Sequence, residues 1–388
     1  LQTVGARLTG AVAHAGLVAR LGGDEFTVLL EPLASPKEAV DLASSIHRAL
    51  LEPLRLENGI VKVGASIGIA FAETGLSDSE ILRRADAAMY AAKQSTDSLR
   101  VALYHPGLDE AERRRGRLAA EFKKALDQDE LALHFQPLVS ARTGRIEGVE
   151  ALLRWTHREL GPVNTADILD LAEVSNRVDD LNAWIFQTAL HAVAGCNIRP
   201  DASFFVAVNV SPVELDSDAL VSNVHDALLL TGVPVSRVII ELSERIVATR
   251  GDAIPNVQRL IDIGVMLALD DFGEGRTSLA HLRGLPISQL KLDRLLVQQA
   301  CTAEADRIIL ESVVALAHDL RFTVVAEGVE DDRHRAAVTA AGADLLQGYA
   351  IDRPMPIERL RPLLVRDGLT TTVLPAVNPA PVHQEAIS

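Results

Sequence analysis

Met266-Leu267-Ala268-Leu269-Asp270-Asp271-Phe272-Gly273 is the stretch on which the reading of this 388-residue chain turns. Its apolar start predicts a strand buried on both faces, and the run stops at two adjacent acids and a glycine. Carboxylates side by side at a strand end repel each other and lose hydration when buried, so a cation is expected between them. A pair of divalent ions is the simplest compensation, because one carboxylate can bridge both while its neighbour holds one. Asp and Gly are equally ordinary turn residues, so the stretch alone also fits a solvated strand-to-loop turn. The surrounding chain separates the two readings.

From residue 131 onward, strand-like runs alternate with helical segments, the pattern of an α/β barrel. Eight runs each end in a polar residue: Leu131–Gln136, Ile146–Glu150, Phe204–Asn209, Val238–Glu241, Met266–Asp270, Gln289–Lys291, Thr323–Glu327 and Leu345–Gln347. A (β/α)₈ barrel builds its site where strands end at the C-terminal face. Gln136, Glu150, Asn209, Glu241, Asp270, Lys291, Glu327 and Gln347 are therefore expected to converge. Only Ser140 to Arg145 separates the first two strands, too short for a parallel crossover, so these two are expected to form an antiparallel hairpin. Helices are expected in Ala166–Ala194, as two segments, and near 215–231, 252–263, 303–320, 332–341 and 356–365.

Upstream, residues 1–14 have helical spacing, and Leu17–Leu21 and Asp24–Leu30 flank Gly22-Gly23 as a hairpin with Asp24 and Glu25 at its tip. Residues 37–51 and 78–93 read as helices and 60–71 as a strand. Residues 107–130 read as a solvated connecting helix, with Arg113-Arg114-Arg115 on its exposed face. The expected organisation is an α+β domain at 1–105, a connector at 106–130, the barrel at 131–366 and a disordered tail at 367–388.

A content of 48% hydrophobic and 23% charged residues describes an ordinary globular protein. The net charge of −15 argues against a nucleic-acid polymer as partner. Cys196 and Cys301 lack metal-ligand spacing and fit a reducing cytoplasm, the expected location. No signal peptide or membrane span is legible, but Leu1 already lies within a helical pattern, so an upstream sensor or anchor is left open.

Gly22-Gly23-Asp24-Glu25-Phe26, Ser66-Ile67-Gly68-Ile69-Ala70 and Ala85-Asp86-Ala87-Ala88-Met89-Tyr90-Ala91-Ala92-Lys93 resemble the GGDEF family of diguanylate cyclases. The resemblance implies that Asp24 and Glu25 bind metal and substrate, that Lys93 touches phosphate, and that GTP is a ligand of this half. The family's first strand is expected upstream of Leu1. Asp97 stands where the family has a phosphate-binding Arg, and Ala13-His14-Ala15-Gly16 where it has an inhibitory Arg-x-x-Asp, so this half is not expected to act as a cyclase.

The second half resembles the EAL family of cyclic di-GMP phosphodiesterases. The blocks are Gln136-Pro137, Glu150-Ala151-Leu152-Leu153-Arg154-Trp155, Asn209-Val210-Ser211, Glu241-Leu242-Ser243-Glu244, Asp270-Asp271-Phe272-Gly273, Lys291-Leu292-Asp293, Ala326-Glu327-Gly328-Val329-Glu330 and Gln347-Gly348-Tyr349. The resemblance implies a modified TIM barrel with its first strand reversed, preceded by a partial α+β domain of nucleotidyl-cyclase type. It implies hydrolysis of cyclic di-GMP to linear pGpG with two Mg²⁺ or Mn²⁺ ions, in a homodimer formed through the barrel. Glu150, Asn209, Glu241, Asp270 and Asp271 would hold the ions, Glu327 the water, and Lys291 the nucleophile or phosphate. Arg154, Gln136, Gln347 and Asp293 would meet the substrate, and Glu244 would brace the loop after Asp271. That loop reads Glu274-Gly275-Arg276-Thr277-Ser278-Leu279 where the family has Thr-Gly-Tyr-Ser-Ser-Leu, and Arg276 is expected to pair with Glu244 or Glu274. The altered loop favours a second reading, a receptor that binds cyclic di-GMP without cutting it.

Overall fold

A computed structural model describes residues 1–13, 15–33, 35–56, 59–61, 63–94, 99–128, 130–244, 255–273 and 286–370. The loop at Glu274–Leu279, with the expected Arg276 pairing, and Asp97 lie outside the described residues. Two compact units make up the chain, Leu1–Ala120 and Glu121–Ser388.

In the first unit, α1 (Gln2–Val12) leads into the expected hairpin, β1 (Gly16–Gly22) and β2 (Glu25–Leu30), which pair antiparallel. One face of the hairpin, Val18, Phe26, Val28 and Leu30, packs on Leu8 and Val12 of α1 and on Ile46 and Leu50 of α2 (Pro36–Leu51). The single strand expected over 60–71 is replaced by shorter pieces: β3 (Leu54–Leu56) and β4 (Gly59–Val61) form a small hairpin. Further on, β5 (Ile67–Ile69) pairs in parallel with β6 (Val101–Leu103), across α3 (Asp78–Gln94). Gly68 permits this packing, since a Cβ there would lie 2.1 Å from backbone atoms of Ala85 and Met89. The connector forms one helix, α4 (Gly107–Asp127), and the unit boundary falls inside it. Its arginine run is not simply a solvated face: the Arg115 guanidinium lies 3.6 Å from the centroid of the Tyr90 ring.

The second unit is a closed barrel. Its strands are β7 (Leu131–Ser140), β8 (Ile146–His157), β10 (Phe205–Asn209), β11 (Val238–Ser243), β12 (Met266–Phe272), β13 (Gln289–Leu292), β14 (Thr323–Ala326) and β15 (Leu345–Leu346), with β9 (Gly161–Val163) added outside β8. Neighbours from β8 through β10 to β15 pair in parallel, whereas β7 is antiparallel to both β8 and β15. The reversed first strand is therefore as expected, and Gly144, at φ +68, turns the short connection. The long helical stretch splits into α5 (Thr165–Val174) and α6 (Val178–Ala194). There follow α7 (Pro212–Asp216), α8 (Ala219–Thr231), α9 (Pro255–Asp262), α10 (Arg294–Gln299), α11 (Glu304–Asp319), α12 (Asp332–Ala340) and α13 (Ile357–Arg366). The packed chain continues to Thr370, beyond the boundary at 366 expected from composition: Leu369 is buried, and Asp367 accepts a hydrogen bond from the Ile146 N–H.

Inside the barrel, Leu138, Phe205, Ala207, Ile239, Ala268, Val325 and Leu345 form one buried cluster. Successive side chains of a strand point to opposite faces, so the residue two places along points inward as well. Two places from Leu138, Ala207, Ile239, Ala268, Val325 and Leu345 stand Gln136, Asn209, Glu241, Asp270, Glu327 and Gln347. The apolar layer thus forms the floor under a polar one. Full burial of each large aliphatic side chain in it stabilises the fold by roughly 1.5–3 kcal/mol.

Candidate active site

At the C-terminal end of the parallel strands, Lys291 sits at the centre of an acid cluster. Its Nζ lies 2.8 Å from Glu241 Oε2, 2.7 Å from Glu327 Oε1, 3.1 Å from Asp270 Oδ1 and 3.6 Å from Glu150 Oε2. Asn209 Nδ2 donates to Glu150 Oε1 at 2.6 Å, and Gln347 Nε2 donates to Glu150 Oε2 at 2.5 Å and to Gln136 Oε1 at 3.2 Å. Gln136 in turn donates Nε2 to the Asp352 carbonyl at 3.0 Å. All eight polar residues expected at the site are thus joined in one network.

Two of them arrive differently from the expectation. Gln136 and Glu150 do not end their strands, which run on to Ser140 and His157; they face each other in mid-strand, in register. The physical reason is that the β7–β8 hairpin runs on past the site: Leu131–Phe135 stay paired with Ala151–Trp155, and the end of β8 pairs with β9.

Asp271 has φ +57, an uncommon conformation for a residue with a side chain. One carboxylate oxygen each from Asp270, Asp271 and Glu327 lie within 4.8 Å of one another, the one such ligand group among the described residues. Glu244, 3% exposed, accepts the Gly273 N–H at 3.0 Å at the end of β12.

Burial and repulsion shape the titration of this cluster. Burial, with the charges of Glu150 and Asp270, pushes Glu241 well above the usual carboxylate range. Burial also pushes Glu327 up to about 8, against the attraction of Lys291. Burial alone would raise Glu150, but Lys291 and the hydrogen bonds from Gln347 and Asn209 hold it below its ordinary value. Burial disfavours the Lys291 ammonium, and the surrounding carboxylates outweigh this and push it well above its usual value.

The donors fit hard divalent cations, which take oxygen ligands, and not zinc, which favours imidazole and thiolate. Five carboxylates, from Glu150, Glu241, Asp270, Asp271 and Glu327, stand against the single ammonium of Lys291, an excess of negative charge that two divalent ions would balance. Glu241 Oε1 is buried without a hydrogen-bond partner, an oxygen suited to a cation.

A cavity of about 210 Å³ opens beside the cluster, lined by Gln136, Glu150, Asp270, Glu327 and Gln347 among others. Arg154 and Asp293, both expected at the substrate, do not line this cavity. Asp293 is the N-cap of α10, its Oδ1 accepting the Leu295 N–H at 2.7 Å, and it is absent from the cavity wall. Arg154 donates to the Leu153 carbonyl at 2.8 Å and likewise stands off the wall, although Glu150 and Leu152 on the same strand face line it. Sequence reading assigned no role to Arg294, Glu330 or Tyr349, which complete the rim; Arg294 pairs with Glu330 at 2.7 Å. All three lie within or next to the blocks quoted above, and that adjacency was the available signal.

A barrel with a reversed first strand carries an oxygen-donor acid cluster at its strand ends. The family model for the EAL domain matches residues 119–354, and this chain belongs to that family. The model for the diguanylate cyclase GGDEF domain matches residues 1–98. The chain is 33% identical over 362 residues to the bifunctional diguanylate cyclase/cyclic di-GMP phosphodiesterase MucR of Pseudomonas aeruginosa, covering 93% of this chain and 53% of that protein. It is 31% identical over 366 residues to the cyclic di-GMP phosphodiesterase NbdA of the same organism, covering 94% of this chain and 46% of that one. The chain thus spans about half the length of these curated relatives. A solved structure titled as the PaMucR phosphodiesterase in complex with c-di-GMP matches with a TM-score of 0.58 and 34% identity, covering 63% of this chain and 99% of that one.

Proposed function

We propose that this chain hydrolyses cyclic di-GMP to linear pGpG in a reaction that requires Mg²⁺ or Mn²⁺. The observation that carries the reading is the convergence of Glu150, Glu241, Asp270 and Glu327 on Lys291 at the strand ends. The family membership and the named activities of the relatives support the substrate. Glu150, Asn209, Glu241, Asp270 and Asp271 would hold two ions, which when bound would acidify a water and neutralise charge on the phosphate oxygens. Glu327, grouped with Asp270 and Asp271 and 2.7 Å from Lys291, would hold the attacking water. Lys291 supplies fixed positive charge where the phosphate gains negative charge. Gln347 holds Glu150 in place and Gln136 holds Gln347, so Glu150 need not reorganise as the bond breaks.

The test is to incubate the purified chain with cyclic di-GMP and Mg²⁺ or Mn²⁺, with and without excess chelator, and to separate the nucleotides. Linear pGpG formed only with the metal is the expected result. Stoichiometric binding without cleavage would replace the enzyme by a receptor, and full turnover in chelator would end the metal assignment.

A further inference from the structure

Asn209 is held by its own contacts less than the residues expected to share the ions with it. Among Glu150, Asn209, Glu241, Asp270 and Asp271 it is the one exposed residue, and among the described residues its side chain makes one hydrogen bond, to Glu150. Its aim therefore depends on its backbone. Strand β10 ends at Asn209, and the chain just beyond is fixed at two points. The Val210 N–H donates to the Glu241 carbonyl at 3.1 Å, and the Ser211 N–H donates to Glu214 Oε2 at 2.7 Å. Ser211 and Glu214 form a capping box at the start of α7, each side chain serving the other's backbone N–H. The second carboxyl oxygen, Oε1, accepts Asn182 Nδ2 of α6 at 3.1 Å, and Asn182 Oδ1 accepts Asn223 Nδ2 of α8 at 3.2 Å. Glu214 and Asn182 are 3% and 2% exposed, and no cation among the described residues pairs with Glu214. Burying a carboxyl group away from any cation is costly even when it is hydrogen-bonded. A solvent-facing capping box would satisfy the same N–H without that cost, so capping alone does not account for this residue.

We propose that Glu214 is a positioning residue for Asn209. The line from Asn223 through Asn182 to Glu214 fixes the Ser211 N–H, two residues past Asn209, and so keeps the Asn209 amide beside Glu150. The inference rests on the function proposed above and adds the residues that hold one of its ligands from behind the strand. Groups that orient a ligand without touching the ion still govern how tightly the ion is held. The far end of α7 offers a contrast. Asn256 of α9, 6% exposed, donates Nδ2 to the Leu215 and Ser217 carbonyls at 2.9 and 2.8 Å. It secures the same helix without touching the Ser211 end.

The experiment measures Mn²⁺ affinity by calorimetry, melting temperature in chelator and steady-state hydrolysis of cyclic di-GMP. It compares the whole chain with Glu214→Met, Glu214→Gln, Asn182→Ala and Asn256→Ala. Glu214→Met keeps the length of the side chain and removes both acceptors, so Mn²⁺ affinity is expected to fall by about 10- to 100-fold. Its kcat should fall with it, and KM for the dinucleotide should change much less. Glu214→Gln keeps an acceptor for the Ser211 N–H, and a turned-over Asn182 amide keeps the second bond, so affinity should return close to that of the unaltered chain. Asn182→Ala should cost about 2- to 10-fold, the worth of one neutral hydrogen bond. Asn256→Ala should lower the melting temperature and leave Mn²⁺ affinity as it was. Mn²⁺ affinity of Glu214→Met equal to that of the unaltered chain overturns the positioning role and leaves the proposed function standing. An equal loss in Asn256→Ala would assign the effect to a general loosening of α7, and an equal loss in Glu214→Gln would assign it to charge; either sinks the inference. Should Glu214→Met fail to fold, Asn182→Ala decides, and unchanged affinity there overturns the inference. An unaltered chain that neither binds Mn²⁺ nor cleaves cyclic di-GMP removes both.

Discussion

Asp270-Asp271 and Asp24-Glu25 look alike in the sequence: two adjacent acids, a glycine beside them, and a strand on one side. In the barrel, the pair meets side chains from other strands, and Lys291 lies 3.1 Å from Asp270 and 2.7 Å from Glu327. At the hairpin tip of the first unit, Asp24 and Glu25 are both exposed, and among the described residues they join no ligand group of three or more. Water screens the second pair, whereas burial makes the first depend on its neighbours. The difference between the two pairs is convergence: side chains from distant strands meet the first pair and, among the described residues, not the second.

The largest expected effect tests that convergence directly. Glu150 receives hydrogen bonds from Asn209 and Gln347 and faces Lys291. Glu150→Gln keeps the shape but removes the charge, so cyclic di-GMP hydrolysis should fall by about 10³-fold, in line with losing one oriented electrostatic group. Far-UV circular dichroism should show the barrel intact; a variant with near-normal turnover would break the comparison at its base.

A middle-sized effect concerns pH. In metal-free protein, Glu327 keeps its proton up to about pH 8 in the folded state, against an ordinary value of 4.5, and Glu241 shifts in the same direction. Both acids are raised, so the folded chain binds more protons than the unfolded one in that window. Stability is therefore lost as pH rises from about 4.5 to about 8. Thermal melts in chelator should show a falling melting temperature across this range, and saturating Mg²⁺ should flatten the curve by neutralising the same charges. A melting temperature that climbs instead would show that the cluster is not strained when free of metal.

The smallest effect belongs to the hairpin tip. Asp24→Asn combined with Glu25→Gln should leave the melting temperature unchanged, because substitutions at exposed positions contribute little. The number of Mn²⁺ ions bound by the chain, read by calorimetry, should also stay the same. A lost ion would promote the tip to a site and erase the contrast.

Much of the barrel was legible because period and punctuation agreed. Each apolar run stopped at a polar residue, and the six-residue gap from Ser140 to Arg145 forced an antiparallel pair. The acids were legible because they stood at strand ends, where few other readings of a buried charge exist. The rest was hidden for identifiable reasons. Helix α10, Arg294–Gln299, has fewer than two turns and shows no period, so the N-cap that Asp293 makes for it was not legible. Residues 60–71 look strand-like throughout, yet the chain bends away and only Ile67–Ile69 pairs with Val101–Leu103. The close approach of Gly348 to the Val329 backbone, where a Cβ would lie 2.3 Å away, is one that no side-chain pattern reveals.

The reversed strand also sets a clock. Gln347 bonds to Gln136 across a sequence separation of 211 residues, and to Glu150 across 197. Pairing so remote carries a high loop-closure cost and forms only after both ends of the barrel exist. A ribosome adding 5–20 residues per second needs about 10–40 s to pass from the first of these glutamines to the second. For that interval the nascent chain carries Glu150 and Gln136 without their closing partner, and the polar network stays open until the final strand emerges.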